Sequence, residues 1–155
     1  MKKLILVLVG LSLFAGAKGQ DTPFVDEGSN EVVSVGILHG GGALLGADFE
    51  MGISKRTGLQ VGLGYVGFGA GLNYHFEEDN IASSCLSLQY WNQGIGDSFT
   101  QNVISGNYIF RGKKWFTATI GMGIPLSEGP ALPANYTQPP VILTYAIGAY
   151  FRLDK

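Results

Sequence analysis

The sequence predicts an all-β fold, an eight-stranded antiparallel up-and-down transmembrane β-barrel. In residues 58–76, leucine and valine alternate with glutamine and glycine at the period of two that a strand requires. The alternation restarts after residues 67–69, which predicts a hairpin. Each half has about nine residues, the length that a tilted strand needs to cross a bilayer.

The chain is expected to have three parts. Residues 1–19 have the pattern of a cleaved signal peptide, with two lysines ahead of an apolar run and small residues at the cleavage positions. Residues 20–31 are polar and acidic and include a proline and a glycine, which predicts a flexible leader. Residues 32–155 are predicted to form the barrel domain.

Eight segments show the strand alternation. They span residues 32–39, 43–53, 58–66, 69–77, 81–92, 102–111, 115–124 and 141–153. With the first strand starting on the periplasmic side, the short turns 54–57, 78–80 and 112–114 share that side with both termini. The two longest connections, residues 93–101 and 125–140, then lie outside, which is the asymmetry expected of such a barrel.

The apolar face of the strands is predicted to point outward, into lipid. A barrel that faced water would carry lysines along its strands, but every lysine after the signal peptide lies in a predicted turn or at the C-terminus. These are Lys55, Lys113, Lys114 and Lys155. The opposite face is rich in glycine, which suits the narrow interior of an eight-stranded barrel.

Aromatic residues are predicted to form two girdles at the membrane interfaces, where amphipathic rings are stable. The outer girdle comprises Tyr65, Tyr90 and Trp91, and the periplasmic girdle comprises Tyr74, Phe76, Tyr108, Phe110, Trp115, Phe116 and Phe151.

The strand pattern, turn lengths and girdles of residues 32–155 resemble the small eight-stranded outer-membrane barrels of Gram-negative bacteria, the family of the OmpA transmembrane domain. The resemblance implies an integral protein of the bacterial outer membrane, in contact with its lipid and monomeric. In that family the last strand usually ends in an aromatic residue. Here Phe151 is followed by residues 152–155, which departs from the pattern.

Five charged or titratable residues at inward positions are predicted to form a polar network in the lumen: Asp48, Glu50, His75, Arg111 and Arg152. Charges in a narrow interior must pair or be solvated, so we expect a closed network of ion pairs. Cys85 also points inward and is expected to fill space.

Composition excludes several classes of function. Removal of residues 1–19 takes away three lysines and leaves 7 basic against 12 acidic residues, a formal net charge of −5, so no basic surface for nucleic acid is expected. The single cysteine, Cys85, permits no intrachain disulfide.

We expect no catalytic residue, no cofactor and no metal. The glycines of residues 62–67 match a dinucleotide fingerprint as a string, but a strand follows them and not the helix that such a site needs. His39 and His75 are placed at opposite ends of the barrel, too far apart to share a metal.

The expected function is that of a non-enzymatic outer-membrane barrel with a closed lumen and a structural role, or an interaction made through the outer loops. An unidentified partner would bind residues 93–101 and 125–140, and five prolines stiffen the second of these two loops. One alternative is a lipid-modifying enzyme of the outer membrane that would use His39, Asp97 and Ser98. The other is a soluble, exported, lipocalin-like binding barrel.

Overall fold

Eight antiparallel strands close into a barrel in the computed structural model, which describes residues 30–153. In chain order the strands are β1 (Glu31–Ile37), β2 (Leu45–Gly52), β3 (Thr57–Gly64), β4 (Gly67–His75), β5 (Cys85–Gln93), β6 (Gln101–Arg111), β7 (Phe116–Glu128) and β8 (Ile142–Arg152). Each strand pairs with the next one, and β1 pairs with β8 to close the barrel. The predicted eight-stranded up-and-down barrel is therefore confirmed. The predicted signal peptide and residues 20–29 of the predicted leader lie outside the described residues.

The two faces of the strands differ as strand geometry requires. In β3, the side chain of Gln60 is buried inside the barrel, whereas Leu63 on the opposite face is 74% exposed. The other strands repeat this arrangement, with serine, threonine, asparagine and glutamine buried and large apolar side chains exposed. The barrel therefore has a polar interior and an apolar exterior.

The two ends of the barrel carry different connections. The connections 53–56, 76–84 and 112–115 lie at the same end as the first and last described residues, here called the terminal end. The connections 38–44, 65–66, 94–100 and 129–141 lie at the opposite end, here called the loop end.

The connection between β4 and β5 is longer than the sequence predicts. A strand is predicted from residue 81, but β5 begins at Cys85, and residues 81–84 are buried inside the connection. Ile81 packs with Val32 and Tyr150 in a small apolar cluster. Burial of this cluster draws the connection into the terminal end and shortens the strand.

The last long connection is shorter than predicted because β7 continues to Glu128 and does not end at residue 124. The pairing of β6 with β7 shifts register between Asn102 and Val103, and Gln101 still lies opposite Glu128. A bulge of this kind lets a strand twist and extend beyond its neighbour. The loop that remains covers residues 129–141.

The connection after β1 contains a four-residue turn, α1 (His39–Gly42), which folds into the lumen and whose glycines have left-handed backbone angles. The sequence predicts strand as far as His39 and a simple turn over residues 40–42. Instead, Leu38 adopts a left-handed conformation with φ of 62°, which reverses the chain, and α1 then contacts β2, β3, β4, β5 and β8 from inside. Among the residues that the structure describes, no helix is long and apolar enough to cross a membrane.

The glycines of α1 are required by close approach to the barrel wall. Gly40 and Gly41 have φ of 68° and 81°, the region that favours glycine. A Cβ at Gly40 would clash with the carbonyl oxygen of Leu63, and one at Gly41 with that of Phe68. A Cβ at Gly62 in the wall would in turn meet Gly40 at 2.9 Å. The turn and the wall therefore fit each other only because both lack side chains there.

Candidate functional site

The polar side chains of the lumen form three groups along the barrel, and the first group lies beside α1. The Nδ1 atom of His39 lies 2.6 Å from Oδ2 of Asp48. The backbone N–H of Gly40 donates to Oδ1 of the same carboxylate at 3.2 Å. Both side chains are buried. Asp48 therefore binds a side chain and the backbone of α1 together, and holds the turn inside the lumen.

The second group consists of amides at the middle of the lumen. Gln60 accepts hydrogen bonds from Asn73 at 2.9 Å and from Gln89 at 3.3 Å. Gln89 accepts from Asn107 at 3.1 Å and from the indole N–H of Trp91 at 2.8 Å. These side chains are all buried, and their chain of hydrogen bonds connects β3 to β6 across the interior.

The third group surrounds the carboxylate of Glu50, which is almost completely buried. Arg111 Nη2 donates to Oε2 of Glu50, while Oε1 accepts from Nε2 of His75 at 2.8 Å and from Asn73 at 2.6 Å. Nδ1 of His75 lies 3.3 Å from the carbonyl oxygen of Ser83 and 3.4 Å from its hydroxyl. The charges of the Glu50 carboxylate and the Arg111 guanidinium offset each other, as a buried ion pair requires.

The terminal end is closed by the connection 76–84. Arg111 donates through Nη1 to the carbonyl oxygen of Ile81, and its guanidinium lies 5.7 Å from the centre of the Tyr150 ring. Ile81 packs on Val32 and Tyr150. The apolar cluster therefore covers Arg111 on the side that faces the terminal end, whereas His75 borders a cavity of about 180 Å³ at that end.

A small cavity lies between α1 and the third group. It has a volume of about 20 Å³ and is lined by His39, Asp48, Gln60, Gln89 and Arg111, among others. Two buried atoms of these side chains, Nε2 of His39 and Nε of Arg111, have no hydrogen-bond partner among the described residues. A space of this size holds about one water molecule and does not amount to a channel.

The structure brings together three residues of the predicted lumen network and separates the other two. Glu50, His75 and Arg111 form the third group. Asp48 instead pairs with His39 beside α1, and Arg152 donates to the side chain of Asn80 at the rim of the terminal end. Asp48 and Arg152 therefore bind partners other than Glu50, which the two inserted connections supply.

The predicted girdles contain one error. Trp91 is only 6% exposed and points into the lumen, because it continues the inward series of β5 that runs through Ser87 and Gln89. The other nine residues are exposed or partly exposed on the outside of the described chain: Tyr65, Tyr74, Phe76, Tyr90, Tyr108, Phe110, Trp115, Phe116 and Phe151.

The residues considered for lipid chemistry are not arranged as a catalytic group. His39 is buried and bound to Asp48. Asp97 and Ser98 lie in an exposed 3-10 turn (Gly96–Ser98), where the hydroxyl of Ser98 donates to the carbonyl oxygen of Ile95 at 2.7 Å. Within residues 30–153, no group of three or more histidine, cysteine, aspartate or glutamate side chains is placed to hold a metal ion.

The loop end carries a second space, a groove of about 420 Å³. Leu132, Tyr136 and Gln138 of the loop 129–141 form one side, and Trp91 and Gln93 of β5 form the other. Leu38 and Trp91 line both this groove and the small cavity. The loop predicted to bind a partner therefore forms one wall of a recess in addition to an exposed surface.

Sequence reasoning missed α1 as a lumen element and the role of Trp91. A signal for both was present. Inward positions near the loop end are glycine in three successive strands, at Gly46, Gly62 and Gly69, which leaves space that only an inserted segment could fill. Three consecutive glycines after His39 are the segment that fits. Strict alternation from Cys85 also places Trp91 inside.

Comparison of the chain with family models, with curated proteins and with solved structures finds no match.

Proposed function

We propose that the chain is an integral, non-enzymatic protein of the bacterial outer membrane, of the kind represented by the OmpA transmembrane domain, with a closed lumen and a loop end that makes its contacts. One observation carries the proposal. The closed barrel turns large apolar side chains outward on every strand and keeps its ionised side chains inside or at its ends.

The exterior supports insertion into lipid. Leu63, Leu88 and Ile120 lie on different strands and are all exposed. A contiguous apolar surface of this extent is rare on a soluble monomer and marks a membrane or protein contact. The described lysines, at positions 55, 113 and 114, lie in turns of the terminal end. A soluble binding barrel would be expected to distribute such charges along its strands.

The packing of the lumen favours a closed barrel rather than an open pore. Its middle is filled by the amide group, and α1 and the connection 76–84 cover the two ends of the polar interior. Eight strands leave an interior just wide enough for side chains to fill. A structural role, or contacts made by residues 93–101 and 125–140, therefore fits better than transport.

The localisation is tested by fractionation of the full-length protein expressed in a Gram-negative host. We expect the mature chain in the outer-membrane fraction, soluble only with detergent, and migrating faster on a gel before boiling than after it. Release into the periplasm without detergent would favour the soluble, lipocalin-like alternative.

The closed lumen is tested by reconstitution of the purified protein into planar bilayers. We expect no large, steady current, because the inserted turn and the amide group leave no continuous path. Stable, ion-selective conductance from the wild-type protein would overturn the closed-barrel proposal and favour a channel. Altered acylation of envelope lipids after deletion would instead favour the enzymatic alternative.

A further inference from the structure

The wall of the barrel is incomplete beside the groove at the loop end. β1 and β8 pair as far as Ile37 opposite Ile147, but β8 begins at Ile142. Residues 142–146 therefore extend beyond the end of β1 and have a strand neighbour only on the β7 side, where Gly123 lies opposite Ile142. The chain that would have continued β1 turns inward as α1 instead.

The groove occupies this gap and connects the inside of the loop end to the outside of the barrel. Trp91, 6% exposed, forms its inner wall. Leu143 and Tyr145, which are 62% and 56% exposed on the outer face of β8, form its lateral rim. A molecule lying against the apolar exterior at this height could therefore reach Trp91 from the side, without passing through the loops.

The chemistry of the groove is that of an apolar ligand site. Leucine, isoleucine and aromatic side chains alternate with amides and hydroxyls, and none of the described residues that line it is charged. Its volume of about 420 Å³ is within the range of about 300–1,000 Å³ that ligand sites occupy. The apolar side chains of Leu132, Leu143 and Trp91 suit an acyl chain, and the uncharged lining disfavours an ion.

We propose that this groove takes up an acyl chain of a membrane lipid, which enters laterally from the surrounding leaflet between the ends of β1 and β8. The inference rests on the proposed membrane location and adds a ligand class to the loop end. The position of the rim indicates that the acyl chain comes from the surrounding membrane. Leu143 and Tyr145 continue the apolar exterior without interruption by a charged residue.

The two tryptophans of the chain give an internal test. Trp91 lines the groove, while Trp115 lies at the terminal end and is 57% exposed. Trp115→Phe leaves Trp91 as the only indole reporter, and Trp91→Phe leaves Trp115. Each full-length variant is reconstituted into phosphatidylcholine vesicles with or without bromine on the acyl chains, which quenches an indole on contact.

We expect both reporters to lose more than half of their emission in brominated vesicles. Quenching of Trp115 with full emission from Trp91 would overturn the acyl-chain proposal and leave the membrane location intact. Full emission from both would overturn the membrane location itself, so the two failures are distinguishable.

A blocking variant separates a chain inside the groove from lipid outside the wall. Leu132→Phe with Gln138→Phe narrows the groove, and Leu72→Phe with Leu88→Phe adds the same rings on the exterior as a matched control. In the Trp115→Phe background we expect the blocked groove to restore Trp91 emission and the control to leave it quenched. Equal quenching in both would assign the effect to lipid outside the barrel and overturn the proposal. Faster migration before boiling shows that each variant has folded.

Discussion

The carboxylate of Glu50 shows how single residues determine the stability of the lumen. It is enclosed by Arg111, His75 and Asn73, so both of its oxygens accept hydrogen bonds. A buried ion pair adds little stability compared with apolar residues of the same shape, but removal of one partner leaves an uncompensated charge. The pair therefore makes the interior sensitive to single substitutions.

We expect Arg111→Ala to lower the free energy of unfolding by about 3–5 kcal/mol, because Glu50 then remains charged in a dry site. The measurement is urea unfolding in detergent, followed by the gel shift between folded and unfolded forms. Arg152→Ala is the control: it removes the same side chain at a half-buried position bound to Asn80, and should cost less than about 1 kcal/mol.

The double variant Glu50→Ala with Arg111→Ala should be more stable than the sum of the two single changes predicts, since both charges are gone. Strict additivity would show that the pair is solvated in the folded barrel and would contradict the dry, closed interior.

The sequence predicts much of this arrangement at the residue scale and fails where side chains meet across connections. Alternation alone places Glu50, His75 and Arg111 inward. It could not pair His39 with Asp48, because that contact depends on the chain reversal at Leu38. Trp91 was predictable, since the alternation of β5 is regular, and the wrong assignment follows from grouping it with the neighbouring Tyr90.

At the scale of elements, α1 is the feature that distinguishes this barrel from a simple one. It fills the lumen near the loop end, is held by hydrogen bonds to the carboxylate of Asp48, and lies against glycines of three strands. Three consecutive glycines predict a turn, but whether a turn projects outward or folds inward depends on complementary space on strands that are distant in sequence. The fit between α1 and the glycines of the wall can be predicted only when the register of the strands is known.

We expect Gly41→Ala to destabilise the barrel and to displace α1, because φ of 81° is unfavourable for alanine and the new Cβ would clash with the carbonyl oxygen of Phe68. The strain alone costs about 1–3 kcal/mol. Gly106→Ala is the matched control, since a Cβ there meets no atom within 4 Å. Amide hydrogen exchange of β2 and β3 in detergent should increase in the first variant only; equal protection in both would show that α1 does not hold the loop end closed.

At the scale of the whole molecule, the sequence predicts best that the barrel has an apolar exterior and a polar interior. The period of two, the position of the lysines and the glycine-rich inner face are properties summed over many residues, so single errors such as Trp91 do not change the outcome. The ends of the barrel are predicted less well, because the connections 38–44 and 76–84 are set by packing inside the lumen.

A charged substitution on the outer face tests directly whether that face contacts lipid. In the proposed membrane location, we expect Leu88→Arg to reduce insertion into vesicles, because Leu88 lies near the centre of β5 and an arginine that faces the middle of a bilayer costs about 2–4 kcal/mol. Leu88→Phe, which keeps the position apolar, should insert like the wild type. Equal yields of folded protein from both variants would show that Leu88, 57% exposed, faces water.

The inward position of α1 also sets an order of events in assembly. The turn lies between β1 and β2 in sequence, yet it packs on β5 and β8, so its final contacts form only when strands from both ends of the chain have met. Contacts between residues distant in sequence require loops to close, and the entropy of loop closure is lost before the contacts stabilise the fold. Folding is slower as a result. We therefore expect α1 to reach its final position only after β8 has joined β1.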